Sequence, residues 1–258
     1  MRTTQQKPKG WFACLCKLAA AVTSWHKAVM TAYDIAAIIW FIALWIGFSY
    51  STRASHGLGR RSLTQAMNGH RRAWMHIAAR RELRMIDTSI LSGLQNGTAF
   101  FASTTIFAIG GCFAALGATN KVLSVVDALP YTLDTSLAIF QAKIIGLTAI
   151  FAYAFFKFGW SYRLFNYSSI LFGAIPPAST LESDSKALNA ATDRVADMNI
   201  LAGQNFNAGL RAIFMSIGYL GWFAGPFVFM ATSLMVTVVL VRRQFHSAAQ
   251  LSLQRQTD

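Results

Sequence analysis

The feature that most restricts this chain is the length of its apolar runs. Four stretches, about Tyr33–Tyr50, Gly93–Gly117, Ser136–Phe156 and Ala212–Val241, are almost free of charge. A helix needs roughly 20 such residues to cross the hydrocarbon of a bilayer. Barrel strands are shorter and alternate in polarity, so these runs read as helices. Composition agrees: of 258 residues, 54% are hydrophobic and 13% charged, whereas a soluble domain carries about a quarter charged residues. The sequence predicts an all-α membrane protein with four transmembrane helices. The last run exceeds what a crossing requires and contains Pro226, so it is expected to tilt, project or kink.

Lysine and arginine placement orients these spans. The connection after the first carries Arg53, Arg60, Arg61, Arg71, Arg72, Arg80, Arg81 and Arg84 against Glu82 and Asp87; the next carries Lys121 against Asp127 and Asp134; the third carries Lys157, Arg163, Lys186, Arg194 and Arg211. Connections one and three are therefore expected in the cytoplasm of a bacterial inner membrane, with both termini outside. Arg242 and Arg243 at the C-terminal end resist that arrangement, as do the lysines of the N-terminal segment. Within that segment Trp11, Leu15, Leu18, Val22, Trp25 and Val29 fall on one helical stripe, with Lys17 and Lys27 elsewhere. Residues 1–30 read as an amphipathic interfacial helix rather than a signal peptide, because Lys17 breaks the apolar core and no cleavage site follows. The membrane domain then covers 31–247 and a polar tail 248–258. The net charge of +13 borders apolar spans, which points to anionic lipid and away from nucleic acid.

The basic connection contains NGHRRAWMHIAARRELR, Asn68–Arg84, which begins like a loop and continues like a helix toward the second span. Arg72, His76, Arg80 and Arg84 are spaced by four and form a basic stripe, with Trp74, Ile77, Ala78 and Met85 on a more apolar face. Such a helix suits lipid phosphates, or serves as an orientation signal alone. The other polar connection, Ile175–Gly209, holds a Pro-Pro break and a short amphipathic helix from Lys186 to Leu201, with Leu188, Val195 and Met198 as packing positions. His70 and His76 do not share a face as metal ligands do, and the three cysteines, Cys14, Cys16 and Cys112, make no ligand spacing. No GxSxG, HExxH or phosphate-loop pattern is present, and His56-Gly57-Leu58-Gly59 lacks the strand–helix context of one. No catalytic residue, cofactor or metal is expected.

NGHRRAWM at Asn68–Met75, KFGWSYRLFNYSSILFGAIPP at Lys157–Pro177 and FNAGLRA at Phe206–Ala212 resemble, in that order, a family of multi-pass membrane proteins of bacteria and plants. It is the five-nine-nine member of the domain-of-unknown-function series. The resemblance covers roughly Tyr33 to Ser247 and implies the architecture, with no activity to carry over.

On the expected topology all three motifs lie at the cytoplasmic rim. Asn68, Arg71, Arg72, Trp74, Lys157, Trp160, Arg163, Asn166, Tyr167, Asn207 and Arg211 can then converge as a site for a phosphate, a carboxylate or a lipid headgroup, or merely cap and cross-link helix ends. At the other side Lys143 lies inside the third span and Asp34 opens the first, so a Lys143–Asp34 pair is expected. The stripe Gly93, Gly97, Thr104, Ala108, Gly111 and Ala115, together with Gly218, Gly221 and Gly225, is expected to build the monomer's bundle, with an oligomer allowed. The leading functional reading is a non-catalytic accessory or scaffold protein engaging anionic lipid or a membrane complex. A small oligomeric anion transporter or channel is the alternative, and a lipid-modifying enzyme the third.

Overall fold

The computed structural model describes residues 31–53, 62–119, 121, 136–176, 185–247 and 252. The N-terminal stripe of Trp11–Met30, the His56–Gly59 segment, Asp127 and Asp134 lie outside the described residues. Every regular element among those described is helical: α1 (Ala32–Arg53), α2 (Leu63–Ala79), α3 (Met85–Gly117), α4 (Leu137–Gly173), α5 (Ser185–Leu220), a 3-10 turn (Gly221–Ala224) and α6 (Pro226–Phe245). Four of them, α1, α3, α4 and α6, are long and apolar enough to cross a membrane.

The boundaries differ from the sequence reading at one decisive place. The stretch Ala212–Val241, expected as a single kinked span, is the end of α5 followed by a reversal and then α6. Gly225, at φ 133° and ψ 164°, occupies a region open essentially to glycine alone. Pro226 then starts α6, where its missing N–H costs nothing. The returning helix packs antiparallel on α5: Thr232 Oγ1 donates to the Gly218 carbonyl at 2.7 Å. A Cβ on Gly218 would meet Ser233 Cα at 3.0 Å. Lower down, the Arg243 guanidinium lies 5.8 Å from the Phe214 ring centre. The expected placement of the C-terminus opposite the basic connections is thereby corrected. α6 ends beside α2, where Gln244 Nε2 donates to Thr64 Oγ1 at 2.7 Å, and Arg242 and Arg243 join the basic side.

The amphipathic helix expected over Lys186–Leu201 is the first half of α5, which continues without a break for 36 residues. α4 has 37 residues and α3 has 33, against 22 in α1 and 20 in α6. At 1.5 Å per residue, α4 and α5 are each about 55 Å long, well beyond the roughly 30 Å of bilayer hydrocarbon. The surplus of α3, α4 and α5 joins α2 in a helical layer beyond the spans. Its core holds Met75, Ala78 and Ala79 of α2, Leu91 of α3, Phe172 and Ile175 at the end of α4, and Leu188, Val195 and Ala196 of α5. Among the spans, a second core centres on Phe41, Tyr219, Trp222 and Phe229, whose rings pack at 5.1–5.7 Å between centroids.

α3 meets the bundle through Leu91, Thr98, Thr105 and Cys112, a seam repeating every seven residues. The glycines of its small-residue stripe face away: among the described residues, a Cβ at Gly93, Gly97 or Gly111 would have no neighbour within 4 Å. The expectation that the small residues build the monomer fails for Gly93, Gly97 and Gly111; it holds for Ala115, which packs on the core, and for Gly218 of α5 and Gly221 of the turn, which admit α6. Gly225→Ala is expected to lower stability by about 1–3 kcal/mol, seen as a lower Tm in detergent, whereas Gly111→Ala changes it little. Equal melting temperatures for the two variants would contradict the assigned reversal.

Candidate anion-binding site

The basic segment spends most of its arginines inside the fold. Ser62 and Gln65 form a capping box that starts α2 at Leu63, so Asn68–His70 is helical rather than loop. The helix stops at Ala79, and Arg80–Arg84 turn the corner into α3, so the expected stripe through Arg84 is not continuous. Its buried face is Met75, Ala78 and Ala79 against α5, while Ile77 and Met85 are exposed. Arg72 donates to Asp193 at 2.9 Å and to Asp197, and His76 Nε2 lies 3.0 Å from Asp193. Trp74 Nε1 and Arg81 both donate to the fully buried Asp87, at 2.8 and 2.7 Å. Arg84 donates to the Ile175 and Pro176 carbonyls just beyond the end of α4 and to the Ala79 carbonyl at the end of α2. These contacts cross-link helix ends.

Arg71 is different. Its guanidinium donates to the Asn199 backbone oxygen at 3.0 Å and to Asn199 Oδ1 at 3.4 Å. Among the described residues it has no carboxylate within ion-pair distance. Gly203 makes room for it, since a Cβ there would fall 1.9 Å from Nη1. Burial lowers the affinity of this guanidinium for its proton, and the amide Nδ2 of fully buried Asn199 has no acceptor among the described residues.

Asn199, Gly203, Asn207 and Arg211 are spaced by four and lie along one face of α5. Opposite that face is a cavity of about 220 Å³ lined by Thr52, Thr64, Gln65, Asn68, Gln204, Asn207 and Arg211. Arg211 also lines a cavity of about 190 Å³ with Thr64, Asn207, Arg243 and Gln244. It further lines a groove of about 410 Å³ formed by Ile42, Trp45, Ile46, Ser49, Tyr50 and Tyr153. One guanidinium therefore stands where a polar chamber adjoins an apolar groove along α1.

Of the residues expected to converge, Asn68, Asn207 and Arg211 share that chamber, and Arg71 stands one turn along α2 from Asn68. Lys157 is near the groove, donating to Asn205 at 3.3 Å and lying over the ring of Tyr153. Arg72 and Trp74 are spent on Asp193, Asp197 and Asp87. Arg163 bonds Tyr167 one turn on, at 2.7 Å, on an exposed face of α4 that also carries Trp160. Asn166, on the same helix, is partly buried. None of these α4 residues lines the chamber. Thr52, Thr64, Gln65, Asn199, Gly203 and Gln204 were not anticipated; the four-residue spacing from Asn199 to Arg211 was a signal for Asn199 and Gly203, and no local pattern marked the other four.

At the opposite end of the bundle, Asp34 and Lys143 are both buried, but the expected direct pair is replaced by a relay through Trp222. The indole N–H of Trp222 donates to Asp34 Oδ1 at 2.8 Å, and Lys143 Nζ donates to the Trp222 carbonyl at 2.8 Å. Thr31 Oγ1 donates to the second Asp34 oxygen at 2.6 Å. The Tyr219 hydroxyl donates to the Lys143 carbonyl at 3.0 Å.

Fold and site together define a multi-pass α-helical membrane protein. The chain belongs to the family described as "Protein of unknown function, DUF599", whose model matches residues 36–249. No curated protein and no solved structure matches it.

Two outcomes follow from this geometry. Combining Asp34→Lys with Lys143→Asp is not expected to restore expression lost in either single variant. The new lysine would face an indole N–H, and the new aspartate a carbonyl oxygen, so each buried charge would lose its hydrogen-bond partner on Trp222. Rescue by the double variant would show direct pairing instead. At the α2–α5 contact, the bonds from His76 and then Arg72 hold the Asp193 carboxyl below its ordinary range. Its contribution is thus fully present above that range and lost as the carboxylate protonates, below about pH 4. Acidification should lower Tm more in the parent than in Asp193→Asn, with little difference between their responses from pH 7 to 9.

Proposed function

We propose that this is a non-catalytic accessory protein of the bacterial inner membrane that holds an anionic lipid. Its headgroup occupies the chamber between α2 and α5, and an acyl chain lies in the groove along α1. The supporting observation is the position of Arg211, which lines both spaces. A phosphodiester at a guanidinium, hydroxyls and amides around it, and an apolar wall beside it match the three parts of a phospholipid. The chamber's lining of hydroxyl, amide and guanidinium groups suits holding a headgroup rather than the paired acid and base of a hydrolase. The basic side, carrying α2 and the ends of α1 and α6, is cytoplasmic on this reading because that is where lysine and arginine accumulate.

Arg211→Gln, purified in mild detergent, is expected to retain about tenfold less co-purifying anionic lipid by mass spectrometry, the effect of losing one strong charge-assisted contact. Arg163→Gln, on the outer face of α4, is expected to retain as much as the parent. Equal retention by parent and Arg211→Gln would refute the assignment.

A further inference from the structure

Arg211 has a second basic neighbour. Arg243, in the last turn of α6, lines with it the cavity of about 190 Å³ where α2, α5 and α6 meet. The Arg243 guanidinium lies over the Phe214 ring, which belongs to the same wall. Among the described residues it has no carboxylate within ion-pair distance. A sphere of that volume is about 7 Å across, so one phosphate with charge-assisted bonds of about 2.8 Å on either side reaches both walls. Thr64, Asn207 and Gln244 add neutral polar groups around the two cations. Two guanidinium groups on one small cavity, with no acid in its described lining, suit a phosphate.

The adjoining chamber says what the phosphate carries. It shares Thr64, Asn207 and Arg211 with the cavity, so a group one ester bond from the phosphate is within its reach. Asn68, Gln204 and Asn207 bring amides to the chamber that make no hydrogen bond to other described residues. An amide both donates and accepts, as an alcohol does, so these side chains match hydroxyl groups. Among the described residues the chamber lining holds no carboxylate and no aromatic ring, the partners that an ammonium group needs once it leaves water. Resting on the lipid reading above, we propose that the lipid is a phosphodiester with an uncharged polyol headgroup. Its phosphate lies between Arg211 and Arg243, and its hydroxyls bond the chamber amides. A phosphomonoester lipid would fill the cavity and leave those amides unmet; a serine or ethanolamine headgroup would bring an ammonium to a lining without an acid.

The test measures binding of phosphatidylglycerol, phosphatidylserine and phosphatidate to the delipidated protein in detergent by native mass spectrometry, with phosphatidylcholine as reference. The parent should bind phosphatidylglycerol about tenfold more tightly than the other two anionic lipids, and Asn68→Leu combined with Gln204→Leu should abolish that preference while phosphatidate binding stays. Gln204→Leu alone, at an exposed position, serves if the double variant is not monodisperse. Arg243→Gln should weaken all three anionic lipids about tenfold, whereas Arg242→Gln, on the same turn but outside the cavity lining, should not. Equal binding of the three by the parent, or a preference kept in the leucine variants, overturns the polyol headgroup; Arg243→Gln matching the parent overturns the second cation. Either result leaves the lipid reading intact, and no preference for any anionic lipid over phosphatidylcholine overturns both. Glycerol phosphate binding as tightly as phosphatidylglycerol overturns the lipid as the source of the phosphate.

Discussion

The antiparallel seam between α4 and α5 is the contact on which the other elements depend. These two helices run side by side from the spans into the layer beyond them. Close approach is possible because glycine faces large side chains: the Tyr219 ring fills the space above Gly146, and the Phe158 ring the space above Gly209. Serine hydroxyls then reach across, Ser161 to the Ala202 carbonyl at 2.8 Å and Ser168 to the Val195 carbonyl at 3.4 Å. In hydrocarbon, where helices gain nothing from hiding apolar surface, close packing and such hydrogen bonds supply the cohesion. α3 leans on the α4 side of this seam, α2 and α6 on the α5 side, and α1 on α6. The chamber exists because α2 crosses α5 at the height where α1 ends.

That frame also explains the uneven use of positive charge. Arg72, Arg81 and Arg84 are committed to specific carboxylates or carbonyls on other elements, and their replacement would loosen the outer layer. Arg71 bonds Asn199 on the polar stripe of α5, and Arg211 stands on that stripe itself. One short basic run therefore divides into cross-links and a single guanidinium, Arg71, that meets neutral oxygens of α5, a division set by which carboxylates α5 offers and at what height.

Much of the fold was legible in the sequence. Span length and charge spacing identify α1, α3 and α4, and Leu188, Val195 and Met198 pack as the amphipathic pattern required. Hydropathy is blind to chain direction, so the reversal at Gly221–Gly225 merged with its apolar neighbours; only the sequence Gly225-Pro226 hinted at it. The polar stripe of α5 depressed hydropathy midway and split one helix into two. The partners of Arg72 lie 121 and 125 residues away, a separation that no local pattern records. Asp34 and Lys143 were found by their cost in hydrocarbon, but the indole between them was invisible because a tryptophan at a helix end has many ordinary uses. The glycine stripe of α3 was visible as a stripe; its direction depended on the seven-residue seam on the other side.

The tight turn between α5 and α6 bears on how the chain enters the bilayer. The second half of α5 carries Asn205, Asn207 and Arg211, and on its own it is a poor candidate for lateral release into lipid. α6 is apolar enough to cross, and the five residues Gly221–Gly225 leave the two helices no room to act separately. Their insertion is that of a helical hairpin, in which α6 provides the hydrophobic pull and α5 arrives with its polar face still to be covered. α4, already in place, receives the glycine side of α5. α2 covers the rest of that polar face, with the chamber between them.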